Sequence, residues 1–363
     1  MLAGNPLKPP ASPATAQPPP SAGPAAAHIG SGSVPADHVS VHFVDVDQAA
    51  AAVIEFPCAV VMIDSGARDQ AGTNALVSYL NDLFARRPEL HRHINTIFVT
   101  HSHTDHNYAL QAVAEGFDVG GYVYNGHQSG SGAKNAKWMA AHVVSAKIPT
   151  DEVSEEKVDA QGTNGLTDGV IDSVACPRVD PSIKVLSGAY ASNPGWDQGD
   201  FDNENNQSLA IRIDYGKASF LFTGDMQTAG LDTLIDHLGA SGLLHAEVWA
   251  VSHHGAANGT DPAILQAIRP EIAVMSFGRP GLQQPWTAWA YGHPRRSTVE
   301  ELDSAISRPR DVVQDVQVAD AVKSFSSYTV HHAVYGTGWD GTVTIAADAT
   351  GELWVQRQSP ATH

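Results

Sequence analysis

The chain has 363 residues, 42% of them hydrophobic and 17% charged, enough apolar material for one large domain or two with a substantial core. Its longest apolar runs, 49–54 and 58–63, have six residues each, far short of the roughly 18 a membrane helix requires. The net charge of −18 argues against a polyanion-binding surface spread over the molecule, and two cysteines exclude a disulfide scaffold or a cysteine-rich zinc site.

Residues 1–36 carry nine prolines and nine alanines and almost no large apolar side chain. Such a segment cannot bury enough surface to offset its ordering entropy, so it is expected to be a disordered tail. It lacks the charged start and continuous apolar stretch of a signal peptide. The expected compartment is the cytoplasm for the chain as it stands, or the exterior if an export signal precedes it. Residues 37–363 form the predicted domain.

Val39, Val41 and Phe43 alternate with Ser40 and His42, which predicts a half-buried strand. A second strand over 59–63 runs into Asp64-Ser65-Gly66, and Leu76, Tyr79, Leu80 and Leu83 then recur at helical spacing. The strand over 94–100 ends directly in a histidine-rich segment. From about 117 to 204 periodicity fades and Gly, Ser, Asn and Asp accumulate, which reads as an insertion; 151–206 alone carries a net −9. A hairpin turning at Gly216-Lys217 follows, then strands over 247–251 and 272–277. Ser297 and Glu300 form a capping-box pattern at the start of a helix, and strands over 328–335, 342–346 and 352–355 close the chain. Mixed short strands and helices point to an α/β (α+β) sandwich rather than a bundle or barrel.

The strongest chemical signal is Thr100-His101-Ser102-His103-Thr104-Asp105-His106-Asn107. In extended chain His101 and His103 point the same way, because side chains repeat every second residue. Once the chain turns into a helix, Asp105 and His106 face a neighbouring point. That pattern suits two adjacent metal ions, and imidazole with carboxylate suits zinc first, with manganese or iron as alternatives. A polar loop that happens to be rich in histidine would not place four ligand-type residues at this spacing.

The segment from His101 to His106 matches the HxHxDH motif of the metallo-β-lactamase superfamily, whose fold is an αββα sandwich. Asp64-Ser65-Gly66, Thr223-Gly224-Asp225 and Ser252-His253-His254-Gly255 resemble its other site motifs, in order. Within the superfamily the chain resembles the ComEC-type hydrolase domain of bacterial DNA-uptake channels. The likeness rests on Val41-His42-Phe43-Val44-Asp45-Val46-Asp47-Gln48, Asn205-Asn206-Gln207-Ser208-Leu209, Tyr291-Gly292-His293-Pro294 and the closing strands around Tyr335-Gly336-Thr337 and Asp340-Gly341-Thr342-Val343. Two departures border the expected cleft. Ala49-Ala50 replaces a Gly and an acidic residue after Gln48, and Asn107-Tyr108 stands where the family has an apolar residue and glycines.

The resemblance implies that His101, His103 and Asp225 hold one metal, and Asp105, His106, Asp225 and one histidine of the 253–254 pair the second, with His254 favoured over His253. The histidine that many members carry before the bridging Asp is missing, and Asn206 sits near that position. Asp105, His253 and His293 are the candidate catalytic residues, the two histidines for contact with the substrate or assistance to the leaving group. The acidic group Asp197, Asp200, Asp202 and Glu204 lacks the EF-hand pattern and reads as a solvated loop. His331-His332 is given no role, and Cys58 and Cys176 either pair or stay free. No Gly-rich phosphate loop, nucleotide fingerprint or serine nucleophile elbow is present.

The expected activity is hydrolysis by a hydroxide held between two divalent ions, acting on small-molecule or single-stranded phosphodiesters. Duplex nucleic acid is disfavoured by the charge, since only Arg279, Arg295, Arg296, Lys134 and Lys137 are candidates for a basic groove. The alternatives are a lactonase or β-lactamase-like ester or amide hydrolase, a DNA nuclease, and a metal-free binding or sensory module of the same fold.

Overall fold

The computed structural model describes residues 34–358. The tail expected over 1–36 lies outside the described residues except for its last three positions. Strands β1 (His38–Phe43), β2 (Ala51–Glu55) and β3 (Val60–Ser65) form an antiparallel meander. Helix α1 (Gln70–Arg86) then crosses to β4 (Thr96–Val99), which pairs parallel to β3. Short helices α2 (Thr104–Asn107) and α3 (Leu110–Gly116) lead to β5 (Tyr122–Tyr124), and α4 (Ala133–Ala146) leads to β6 (Thr150–Glu152). With β15 (Val343–Asp348) and β16 (Leu353–Arg357) from the far end of the chain, these strands form one sheet in the order β16-β15-β1-β2-β3-β4-β5-β6.

The second sheet begins with β7 (Ser182–Ser187) and the hairpin β8 (Ala210–Tyr215) and β9 (Ala218–Phe222). Helix α5 (Thr228–Leu238), β10 (Val248–Ala250), α6 (Pro262–Ile268) and β11 (Ile272–Met275) follow as parallel crossovers. A one-turn helix α7 (Ala288–Tyr291), α8 (Arg296–Ala305) and the long hairpin β12 (Pro309–Ala321) and β13 (Ser324–His332) precede β14 (Val334–Gly336). The second sheet has the order β14-β11-β10-β9-β8-β7.

Period-two alternation sorts the first sheet's side chains into two cores. Val41, Phe43, Val61, Ile63 and Phe98 face the second sheet, where the Phe43 and Phe222 rings lie 6.0 Å apart. Val60, Met62 and Ile97 face the other way, onto Leu76, Leu80 and Leu83 of α1 and Val113 of α3. A sheet covered on both faces explains the continuous apolar run over 59–63. The arrangement is the expected αββα sandwich.

The segment 117–204, read as an insertion, supplies β5 and β6, of three residues each and too short to show a period, and the six-residue β7. Two expectations need correction. Helix α8 starts at Arg296 with Arg295 as its cap residue and no side-chain cap, so Ser297 lies inside the helix and Glu300 pairs with Arg296 instead. The strand expected over 328–335 is two strands in different sheets, parted at Ala333. Asp303 fixes that break by accepting the backbone N–H groups of His331 and His332 at 3.0 and 2.7 Å.

The two cysteines form a disulfide, Cys58–Cys176, between the β2–β3 turn and the segment before β7. Among the described residues no helix is long and apolar enough to cross a membrane. The bridge closes a loop with a sequence separation of 118 residues, so replacing both cysteines with serine should cost about 2–5 kcal/mol of stability. Denaturant unfolding of the double variant checks this, and an unchanged midpoint would mean that the bridge does not form.

Candidate metal centre

Five strands run parallel into one edge of the sandwich, and the ligand-type residues sit just past their carboxyl ends. Asp64 closes β3, Thr100 and His101 follow β4, Asp225 follows β9, His253 and His254 follow β10, and Ser276 follows β11. Open α/β sheets place ligands at this edge because the chain leaves each strand there into a loop.

Asp64 organises the first of these loops. Its carboxylate accepts the backbone N–H of Thr100 at 2.8 Å and the Thr100 hydroxyl at 2.9 Å. It also accepts Nδ1–H of His106 at 2.7 Å, which leaves Nε2 as the nitrogen that faces the cluster. Gly66 is required by close approach: a Cβ there would lie 1.7 Å from the Asp105 carbonyl oxygen, which accepts the Ala50 N–H at 2.9 Å. Gly224, at φ +54°, lets the next loop turn so that Asp225 N–H reaches the Ser208 hydroxyl at 3.2 Å. His253 and His254 both occupy the left-handed region, at φ +52° and +55°. The turn directs His254 inward, where Nδ1–H donates to the Ser276 carbonyl at 2.6 Å.

Asp105, His106, Asp225 and His254 converge, each offering one ligand atom within 4.8 Å of the others. The Asp225 carboxylate lies between the two rings, 3.1 Å from His106 Nε2 and 3.3 Å from His254 Nε2. Asp105 approaches His254 Nε2 at 3.3 Å as well. Neither Nε2 is aligned for a hydrogen bond, although both are buried. Ligand atoms directed at a shared point are the arrangement that a common cation requires once the two rings give up their protons, so these residues fit a divalent ion.

His101 and His103 stand beside this cluster and outside its four-atom convergence. His101 Nε2 faces His103 Nδ1 at 3.1 Å, and the His101 ring lies 4.2 Å from that of His106. Ser208 and Thr100 hydroxyls approach His101 Nδ1 at 3.3 and 3.2 Å. Asn206 lies away from the metal cluster. It is buried against the start of α5, where its Oδ1 accepts Gln227 N–H at 2.9 Å. Its neighbour Asn205 faces the site, 3.2 Å from His253 Nε2.

His293 is a residue whose surroundings the sequence did not disclose. Gln48 Oε1 accepts the Gly278 N–H at 3.2 Å, which turns its Nε2 toward His293 Nδ1, also 3.2 Å away. His293 Nδ1 is then an acceptor and its proton sits on Nε2. Burial, with His254 and His253 nearby, pushes its pKa down to about 3, so the ring is a neutral donor. His253 has both nitrogens engaged, Nδ1 with Asn258 at 2.9 Å and Nε2 with Asn205, and burial lowers its pKa.

The departure at Asn107 acquires a purpose here. Asn107 Nδ2 donates to Gly132 O at 3.1 Å, and its Oδ1 accepts from Asn135 Nδ2 at 3.2 Å. These bonds bring the 129–135 segment over His103, with the Ser131 hydroxyl accepting Thr104 N–H at 3.0 Å. Glu204 is not part of a solvated loop, because His127 and Ser129 bind its carboxylate. Arg296 is committed to Asp320 and Glu300 rather than available to a groove, whereas Lys134 and Lys137 are exposed on α4.

Burial opposes charge on every member of the cluster, yet opposite charges outweigh it. His106 is held well above the ordinary imidazole range by Asp225 and Asp64, and His254 is raised to about 10 by Asp225 and Asp105. The Asp105 and Asp225 carboxyls are held low by the same histidines. His101 is pushed well below its usual value by burial and by His106, which outweigh Asp225 and Asp105.

The metallo-beta-lactamase superfamily model matches residues 44–279. Competence protein ComA of Neisseria gonorrhoeae is 33% identical over 109 residues, 27% of this chain and 14% of that protein. Recombination protein 2 of Haemophilus influenzae is 30% identical over 120 residues, 33% of this chain and 13% of that protein. The chain thus spans about a seventh of the length of the curated relatives it matches. Among solved structures, the metallo-beta-lactamase fold protein YhfI from Bacillus subtilis overlaps 66% of this chain and 85% of its own, at 11% identity and a TM-score of 0.37. The sandwich and the buried histidine–aspartate cluster at its edge define a metallohydrolase scaffold. The chain belongs to the metallo-β-lactamase superfamily and resembles the ComEC-type competence proteins within it.

Because ligand nitrogens must be unprotonated, loading a divalent ion has to expel the protons that His106 and His254 carry in its absence. Zinc added to metal-free protein near neutral pH should therefore release protons into weak buffer. Its apparent affinity should climb as the pH rises toward about 10, where His254 loses its proton unaided. Calorimetry in buffers of different ionisation enthalpy measures the release; an affinity independent of pH would overturn this charge assignment.

Proposed function

We propose that this protein is a metal-dependent phosphodiesterase acting on small or single-stranded substrates. The observation that carries the reading is the convergence of the buried Asp225 carboxylate, the half-buried Asp105 carboxylate and two imidazole nitrogens, beside a neutral N–H donor at His293. In this reading Asp105, His106, Asp225 and His254 hold one divalent ion, and His101, His103 and Asp225 a second. Such ions supply Lewis-acid stabilisation of phosphoryl oxygens and lower the pKa of water toward neutrality. Zinc fits the donor set, and manganese or iron are the alternatives.

The remaining chemistry belongs to the chain. Asp105 is the ligand carboxylate that also lines the adjoining cavity. Its low pKa makes it a poor proton store, so it orients the attacking water by accepting a hydrogen bond rather than by keeping the proton. His293 presents Nε2–H to charge growing on a phosphoryl oxygen, and its low pKa keeps it a neutral donor throughout the working range. Gln48 fixes that tautomer. His253, with both nitrogens already bonded, supports the turn that carries His254 more than it supplies a proton.

The ComEC-type likeness favours phosphodiesters over lactones and β-lactams. The acidic 151–206 segment, net −9, opposes the approach of a long duplex, whereas a small monoanionic diester meets little of that repulsion. The Cys58–Cys176 bridge supports a working compartment oxidising enough to maintain it.

Metal analysis tests the ligand assignment. Close to two ions per chain are expected, with loss in Asp225→Ala and His254→Ala. His293→Ala should retain its metal and turn over about 10²–10³-fold more slowly, the usual cost of removing one donor to developing charge. A full metal complement in Asp225→Ala would overturn the bridging role, and normal turnover in His293→Ala would remove it from the chemistry.

Substrate class is tested at matched low ionic strength with zinc and manganese separately. Bis(p-nitrophenyl) phosphate should be hydrolysed and duplex DNA cut poorly. Efficient duplex cleavage would restore the nuclease reading, and turnover of a lactone or β-lactam with no diester cleaved would replace the proposal.

A further inference from the structure

A cavity of about 370 Å³ opens beside Asp105 and is lined by Gln48, Arg68, Trp286 and Tyr291 among others. Its size falls in the roughly 300–1,000 Å³ range of small-ligand sites. The rings at its mouth continue inward. Trp286 and Tyr291 lie 6.4 Å apart between centroids, Tyr291 and His293 5.7 Å, His293 and His254 6.0 Å, and His254 and His106 5.2 Å. A ladder of flat groups thus runs from solvent to the metal cluster.

Its outer rung is unusual on two independent counts. Trp286 is 70% exposed, against the tendency of large apolar rings to be covered, and it is held at φ +61°, a region that bulky residues seldom occupy. The fold maintains this arrangement from both sides. Thr287, fully buried, places its hydroxyl 2.7 Å from the Gln284 carbonyl and 3.4 Å from Ala290 N. The tip of the β12–β13 hairpin braces α7, where Lys323 N–H donates to the Trp289 carbonyl at 3.0 Å. Backbone strain kept in place by surrounding structure at the rim of a site is an observation that points to a ligand.

The charges around the cavity narrow the ligand. Arg68 is committed to Asp47 at 2.7 Å and Asp69 at 2.8 Å, so its cation is already balanced. Asp105, the other charged residue of the lining, belongs to the metal cluster in the reading above. A second phosphate finds no partner among these groups, whereas a flat neutral ring finds two aromatic faces. From this we infer that Trp286 and Tyr291 form a stacking subsite for an unpaired base of the substrate. The inference rests on the phosphodiesterase reading and adds the residues that select the group beside the phosphate.

The test measures binding as well as turnover. Calorimetry on zinc-loaded protein compares adenosine 5′-monophosphate with ribose 5-phosphate, which lacks the base. Wild type should prefer the nucleotide, and Trp286→Ala should reduce that preference roughly 5- to 150-fold, the span typical of losing one base-stacking ring. Trp286→Phe should recover most of it. In turnover, the ratio of kcat/KM for thymidine 5′-(p-nitrophenyl) phosphate over methyl p-nitrophenyl phosphate should fall in Trp286→Ala by a similar factor, chiefly through KM. No base preference in wild type, or an equal preference in Trp286→Ala, overturns the subsite while leaving phosphodiester hydrolysis standing. Trp286-dependent nucleotide binding without cleavage of any diester would support the subsite and remove the phosphodiesterase reading.

Discussion

The structure depends on one buried carboxylate. Asp225 is withdrawn almost completely from water, and burying an anion is costly unless opposite charge surrounds it. Two imidazoles, His106 and His254, supply that charge in the absence of metal, and each is raised well above its usual pKa in doing so. Everything around the cluster serves to hold those rings. Asp64 takes the outer nitrogen of one, and the Ser276 carbonyl takes the outer nitrogen of the other, so both inner nitrogens point at the same place. The close-packed loops follow from this demand: Gly66 and Gly224 occur where any side chain would collide with the backbone or side chains bearing the cluster.

The two-sheet architecture makes this convergence possible. Strands β3 and β4 of one sheet and β9, β10 and β11 of the other deliver their carboxyl ends to a common edge. The same edge receives Gln48 from the β1–β2 connection and His293 from beyond α7, 245 positions apart in sequence and within hydrogen-bonding distance. His106, His254 and His293 each have one ring nitrogen engaged by a partner from a different part of the chain, which fixes how the rings are oriented.

Much of this was legible before any coordinates. The segment from His101 to His106 could be read because its ligands are contiguous and directly follow a strand. Asp225 and His254 were reached only through the resemblance of Thr223-Gly224-Asp225 and Ser252-His253-His254-Gly255 to the superfamily's motifs. Other parts carried no such signal. The strands β5 and β6 are three residues long, too short for alternation to register, so no strand was read in their segment. Asn205 and Asn206 are adjacent and chemically identical, and only the turn they occupy decides which one faces His253 and which one ties down α5. The pairing of Gln48 with His293, and of Cys58 with Cys176, is set by tertiary approach that local pattern does not encode. Helix α8 began one residue before the capping-box serine because Arg295 already had its place beside Gly255 and Ala319.

The hydrogen bonds from Asn107 to Gly132 and Asn135 have a thermodynamic consequence. Asn107 adjoins His106, so the segment that opens α4 and the metal cluster share one set of contacts. Sites that share a structural element are coupled, and coupling of binding free energies is reciprocal. To whatever extent an ion at His106 steadies the 129–135 loop, that loop steadies the ion by the same factor. Substitutions on α4, which carries Asn135, thus bear on how tightly the cluster would hold a divalent ion.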